Sequence, residues 1–321
     1  MPRKYQPVDL SKLRTYSVAE RAHKADAERA ARPAPPGASA AELIDSMPQY
    51  LGAAALRGVV AAIVAARRAD RPVVAALGAH VVKVGCSPIL VDLIRRGVIT
   101  AVAGNGALAI HDVELATIGA TSEEVADTIR DGSFGMVRET MSFFDAAAAR
   151  ARRDSLGLGA ATGAMLLDGA APHRGLSILA AAREADIPAT IHVALGTDTV
   201  HMSGGLAAAD LGEASLLDFR LLCDVVADLG AKQPGAAGGV WLNIGSAVVM
   251  PEVFLKAVSV ARNLGADLDA MVTANFDMIR HYRPHQNVVT RPVTRGRGFE
   301  VVGHHEILLP LLRQAVIETL S

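Results

Sequence analysis

The sequence predicts an α/β protein, a Rossmann-like parallel sheet with helices on both faces. Three observations lead there. From residue 72 onward, short apolar segments alternate with amphipathic ones, and a parallel crossover needs a helix between its strands. The chain of 321 residues is 51% hydrophobic but only 4% aromatic. Its core must therefore be filled by Ala, Val, Leu and Ile, whose small side chains let helices lie close on strands buried from both sides. Finally, the apolar segments run into Gly, Ala, Ser, Asn, Asp or Thr, and ligands of such sheets bind at the carboxyl ends of the strands.

Residues 1–40 are charged and then rich in Pro and Ala, with no sustained apolar period, and read as an arm or tail. Residues 41–321 read as a single domain. Ala40 to Arg68 predicts one or two amphipathic helices, broken near Pro48 and weakened at Gly58. Pro72 to Gly78 follows as a strand, and Ser87-Pro88 opens a helix from Ile89 to Arg96. Val98 to Gly104 is the second strand, leading through Asn105-Gly106 into a helix that carries His111 and ends near Ile118. Thr121-Ser122-Glu123-Glu124 has capping-box spacing and predicts another helix. Helix Leu176–Ala185, strand Pro188–Leu195, helix Ala214–Leu229, strand Gly239–Ile244, helix Pro251–Asn263, strand Leu268–Thr273 and a final helix Ile307–Leu320 complete the alternation.

Composition excludes several classes. A formal net charge of −1 gives no basic footprint for nucleic acid. The longest apolar run, Leu51 to Ala66, contains Arg57 and is too short to span a bilayer. Two cysteines, Cys86 and Cys223, make no disulfide framework, and the first residues lack a secretory apolar region. The reading is a cytoplasmic protein with neither nucleic-acid nor membrane partner.

The strand ends hold the candidate site. They read Gly78-Ala79-His80, Gly104-Asn105-Gly106, Gly196-Thr197-Asp198, Gly245-Ser246 and Ala274-Asn275-Phe276-Asp277. Small residues let a ligand approach the backbone, and Asn, Asp and Thr can bond ribose hydroxyls, although the same residues also make ordinary turns. Gly157-Leu-Gly159-Ala-Ala-Thr-Gly163 imitates a dinucleotide fingerprint but follows a charged helix end instead of a strand, so it reads as a loop. Lys83 stands among valines in a chain with six lysines and 26 arginines. It is either a desolvated nucleophile or base, or a snorkelling surface lysine. His111 and Glu114 share a helix face, suiting a base and its partner, while Asp112 orients a ligand or caps. His281, His285, His304 and His305 crowd the last quarter without metal-ligand spacing, and no metal is expected. Arg280, Arg283, Arg291 and Arg295 around them suit an anionic group.

From Pro72 to Leu320 the chain resembles deoxyhypusine synthase. The resemblance is carried by Gly78-Ala79-His80, Ala103 to Glu114, Leu195-Gly-Thr-Asp198, Gly238-Gly-Val with Gly245-Ser-Ala, Arg262-Asn263-Leu-Gly-Ala-Asp267, Thr273-Ala-Asn-Phe-Asp277 and Gly303-His304 with Leu309-Pro-Leu-Leu312. It implies NAD as cofactor, held by Gly78, Ala79, His80, Gly104, Asn105, Gly106, Asp198, Gly245, Ser246, Asn275, Asp277 and His304. It also implies a homotetramer with active sites at subunit interfaces. The family's nucleophilic lysine is missing, because no lysine follows Lys256 and Arg295-Gly296-Arg297 occupies that region. Ala103-Gly-Asn-Gly-Ala-Leu-Ala-Ile-His111-Asp-Val-Glu114 is also similar to the signature of LOR/SDH-type NAD-dependent ornithine cyclodeaminases.

Together these resemblances imply an NAD-dependent enzyme that abstracts hydride at the C–N bond of a small amine or amino acid. His111 and Glu114 would position and deprotonate the amine, and Lys83 would replace the missing lysine. A polyamine aminoalkyl transferase and a non-catalytic NAD sensor or scaffold are the alternatives. Specificity is expected in the loops Met202–Glu213 and Arg283–Gly298.

Overall fold

The computed structural model describes residues 4–321. The segment expected as an arm starts at residue 1, and its first three residues lie outside the described ones. Between residues 4 and 39 the chain makes three 3-10 turns, Leu10–Lys12, Val18–Glu20 and Ala27–Arg29, each capped by a side chain and none with a buried residue. Buried structure begins with α1 (Ala40–Ser46), whose Ser39 and Glu42 form a capping box, and α2 (Leu51–Arg68). Gly58 does not interrupt α2. A Cβ there would stand 2.4 Å from the Phe299 ring, so the glycine lets the helix lie against the last strand.

Six strands, β1 (Val73–Leu77), β2 (Ala101–Asn105), β3 (Ala189–His192), β4 (Val240–Ile244), β5 (Val272–Asp277) and β6 (Gly298–Val302), form one sheet. Every pairing is parallel, in the order β3-β2-β1-β4-β5-β6. This is the doubly wound order, which reverses direction between β1 and β4. α3 (His80–Lys83) and α4 (Ser87–Arg95) join β1 to β2. Five helices join β2 to β3: α5 (Gly106–Ile118), α6 (Val125–Thr128), α7 (Arg138–Asp154), α8 (Leu158–Asp168) and α9 (Ile178–Glu184). α10 (Ala208–Ala227), α11 (Val249–Asn263), α12 (Tyr282–Pro284) with a π-type turn over His285–Thr290, and α13 (His305–Leu320) follow.

Alternation along β1 shows how both faces are used. Val73, Ala75 and Leu77 enter a core with residues of α2, α4 and α13, whereas Val74 and Ala76 enter a second core with α10 and α11. Trp241 of β4 belongs to the second core and stacks on Phe254 of α11, with ring centroids 4.1 Å apart.

Several elements differ from the sequence reading. The fifth strand starts at Val272, four residues later than Leu268, because Asp267 accepts from the Asp269 amide and holds a turn there. Ala274 and Asn275 are therefore inside the strand instead of beyond it. β6, to which the sequence reading gives no element beyond the loop end at Gly298, is a strand on an edge of the sheet. Thr121-Ser122-Glu123-Glu124 forms no helix: Ser122 has φ of +72°, and α6 begins after Glu124, which caps it. The Gly157–Gly163 segment is part of buried α8, so the loop reading is replaced by a packing one. α10 starts at Ala208, leaving only the first half of Met202–Glu213 as loop.

Two buried carboxylates fasten the long β2–β3 connection. Asp112 accepts from the Ser177 hydroxyl at 2.6 Å and from the Ile178 and Leu179 amides, so of its two expected roles it performs capping, at the start of α9. Asp218 of α10 accepts from the Gly159 amide at 2.9 Å and the Ile191 amide at 2.8 Å, joining α8 to β3. Burial pushes Asp112 up to about 6 and Asp218 up to about 7, against the hydrogen bonds that favour their charged forms.

A Cβ on Gly159 would lie 2.3 Å from the Ala189 carbonyl oxygen. Gly159→Ala is expected to lower stability by about 1–3 kcal/mol through overpacking, read as a reduced denaturant midpoint at unchanged slope. Because both folded-state carboxyl values are raised above that of an aspartate in the unfolded chain, the stability linked to their protonation is fully present below the unfolded value. It is lost as pH rises through about 6 and about 7. Asp218→Asn should flatten the fall in melting temperature across this window, and an unchanged slope would show that Asp218 stays ionised.

Candidate functional site

The carboxyl ends of β1 and β4 meet at the reversal of strand order. The Gly78 amide donates to the Ile244 carbonyl at 2.9 Å, and a Cβ on Gly78 would lie 2.0 Å from the Gly245 carbonyl oxygen. The two loops thus touch backbone to backbone, and Gly245 adopts a φ of +68°. Ala79 then caps α3, and His80 opens it. The His80 ring stands 5.6 Å from that of His305, a residue fully buried in the first turn of α13. His305 Nε2 lies 3.2 Å from the Phe276 carbonyl, which can only accept, so the proton sits on Nε2. Its Nδ1 is left without a partner. Burial, then the neighbouring His305, lowers the pKa of His80.

At the end of β2, Gly104 is buried and Asn105 caps α5 by accepting from the Leu108 amide at 2.9 Å. A Cβ on Gly104 would meet Leu108, and one on Gly106 would come within 2.0 Å of Asp198 Oδ2. The Cβ side of Gly78, Gly104 and Gly106 is therefore occupied by the protein itself. Asp198 is raised by burial, with His201 acting against the shift. Among the described residues its Oδ2 has no hydrogen-bond partner, and it faces His201 Nε2 at 3.8 Å.

His111 and Glu114 come together on α5 as expected, but through a third residue. Thr121 Oγ1 lies 2.6 Å from His111 Nδ1 and donates to Glu114 Oε2 at 2.5 Å; Thr140 donates to Glu114 Oε1 at 2.9 Å. Burial, then Lys83, lowers the pKa of His111, with Glu114 opposing. Lys83 ends α3 and is exposed, so the desolvation required for a nucleophilic amine is missing. Among the described residues it has no ion-pair partner.

The remaining candidates separate from this group. Ser246 is buried, and its hydroxyl accepts from the Met250 amide at the start of α11. Asn275 accepts from Asn243 and donates to Glu300, inside the sheet. Asp277 ends β5 and accepts from the Met278 amide. His304 is exposed and lies beside Glu306, so the inward histidine of the pair is His305. Part of the expected anionic-group site is neutralised internally: Arg280 and His285 both meet Glu300, and Arg283 meets Glu252, whereas Arg291 donates to Asn287. Arg295–Arg297 precede β6 and so lie at the opposite, amino edge of the sheet. Among the described residues, no group of three His, Cys, Asp or Glu is arranged to hold a metal, and no helix is long and apolar enough to cross a membrane.

No family model and no curated protein matches the sequence, but solved structures match its fold. Unliganded AgrE matches with a TM-score of 0.54 and 16% identity over 82% of this chain and 32% of its own. A LOR/SDH protein from Methanococcus maripaludis S2 matches with a TM-score of 0.50 and 15% identity, over 84% and 70%. A protein assigned as a deoxyhypusine synthase from Entamoeba histolytica matches with a TM-score of 0.50 and 11% identity, over 88% and 94%. The chain has the deoxyhypusine synthase and LOR/SDH fold. It spans about a third of the AgrE chain and of ArgZ, an arginine dihydrolase from cyanobacteria.

Four residues of this edge are not among those expected in the site. His305 was recoverable, since His305, Leu309, Leu312 and Val316 repeat at helical spacing and are all buried. His192 ends β3 beside Asn105, and burial brings its imidazole down to about 4. Thr121 and Thr140 carry no local signal, because the turn at Ser122 and the packing of α7 bring them to Glu114.

Proposed function

We propose that this chain is an NAD-dependent enzyme that removes hydride from the carbon bearing nitrogen in a small amino acid. The observation that carries the proposal is the His111–Thr121–Glu114 group: His111 and Glu114 stand on the helix that leaves β2, Thr121 follows that helix, and His111 feels Lys83 of α3, the helix that leaves β1. Dinucleotides bind folds of this kind at the reversal of strand order.

The residues present fit the cofactor in part. Asp198 Oδ2 is an acceptor without an internal partner, the type of atom that holds a ribose hydroxyl. Asp198, His80 and the backbone of residues 79–80 and 246 would hold NAD. Bound there, NAD would accept the hydride.

The chain's own groups account for the rest. An ammonium group cannot release hydride from its carbon until it has lost a proton. His111, whose pKa is lowered by burial and by Lys83, is neutral near pH 7 and able to take that proton. Lys83, exposed and unpaired at the end of α3, would meet the substrate carboxylate. That contact favours an amino acid over a bare amine. Homotetramer formation, with a neighbouring subunit closing the site, belongs to the same proposal and is checked by mass in solution.

Calorimetry with NAD followed by NADH release from a panel of amino acids and amines tests the reading. His111→Gln should lower turnover by about 10²–10⁴-fold, the usual contribution of a general base, with NAD affinity unchanged. Absence of NAD binding would end the proposal. Lys83→Met should raise KM for an amino acid about tenfold, the loss of one charge-assisted hydrogen bond, and leave KM for the matching decarboxylated amine unaltered.

A further inference from the structure

Thr121 stands between an imidazole and a carboxylate that do not touch. His111 Nδ1 and Glu114 Oε2 are 3.8 Å apart, beyond hydrogen-bond reach. Thr121 Oγ1 is within 2.6 Å of the first and 2.5 Å of the second. A threonine hydroxyl has one proton, and a carboxylate can only accept. That proton therefore belongs to the bond with Glu114, and Oγ1 must accept from Nδ1–H of His111. Thr140 occupies the other carboxylate oxygen, so Glu114 is held from both sides.

Resting on the reading of His111 as the base, we propose that Thr121 is a positioning residue that fixes His111 in its Nδ1–H tautomer and leaves the Nε2 lone pair free for the substrate's proton. When Nε2 takes that proton, the imidazolium formed is bonded through the hydroxyl to the Glu114 carboxylate. No proton passes along the chain of groups, and charge is conserved at each residue except His111. The backbone explains how a residue ten positions away returns to the same face: Gly119 ends α5 with φ of +72°, and Ser122 repeats that value. The charged groups facing the imidazole are Lys83 from α3 and Glu114 from α5, and they act in opposite directions.

The test is nitrogen-15 NMR of histidine-labelled protein without cofactor or substrate, with His111 assigned by its loss in His111→Gln. At a pH where the ring is neutral, the wild type should show a protonated Nδ1 and a bare Nε2. Thr121→Val should mix or invert the tautomers, and Thr121→Ser should restore the wild-type pattern. In turnover, Thr121→Val should lower kcat/KM about tenfold, the worth of one hydrogen bond, and move the acidic limb of the pH profile to lower pH. A wild-type ring protonated at Nε2 overturns the proposal without any variant, and so does Thr121→Val with an unchanged tautomer. If the Nδ1–H tautomer is found but no amine or amino acid is oxidised, the functional reading falls and the relay stands. Turnover by a wild type whose ring is protonated at Nε2 removes the relay and leaves the functional reading in place.

Discussion

The close approach of β1 and β4 as they leave the sheet sets the floor of the candidate site. Gly78 and Gly245 touch through their peptides, leaving no room for a side chain between them. A backbone oxygen cannot swing aside as the end of a side chain can, so the contact fixes where α3 and α11 begin. The same device recurs where Gly106 meets the Asp198 carboxylate and where Gly163 meets the Leu179 carbonyl. Glycine in this chain mainly allows the protein to approach itself.

Burial of charge does comparable work in the long connection between β2 and β3. Asp112 and Asp218 are fully buried; Asp112 with both oxygens and Asp218 with Oδ2 accept from backbone amides that would otherwise be unsatisfied at the starts of α9 and α8. Keeping a carboxyl group in such a place is costly, which is why both resist ionisation. The return is a rigid wall: α8 and α9 hold α5 and α7, and those two helices bring His111, Glu114 and Thr140 to one place.

The strand and helix alternation was legible because each parallel strand must be apolar throughout, and four of the strands overlap their predicted spans closely. β6 escaped because an edge strand needs burial on fewer sides. Its Gly-Phe-Glu-Val-Val sequence has a charged residue at the centre, and that glutamate is satisfied by Asn275, His285 and Arg280, residues remote in sequence. The site was legible to the same degree. His111 and Glu114 lie three apart on one helix, so helical geometry alone joins them. Thr121 was misread as a cap, since its spacing to Glu124 imitates one, and only the left-handed turn at Ser122 sends its hydroxyl back to Glu114. Lys83 was selected for its valine neighbours, but Val81 and Val82 point into the core while the lysine points out.

This exposure bears on the chemistry. A lysine that forms an imine works from a site shielded from water, and the exposed Lys83 has no such shield. The group kept from water here is the imidazole of His111, which is a proton acceptor and forms no lasting bond with an oxidised carbon. In the reaction proposed above, loss of hydride would leave an iminium carbon that something from solution has to meet. Water would give deamination with release of ammonia, and a second amine would displace ammonia and give a transferred chain once hydride returned to the carbon. The arrangement of His111, Thr121 and Glu114 would serve both outcomes equally, so the choice between them would rest on what the loops after β3 and β5 admit beside the substrate.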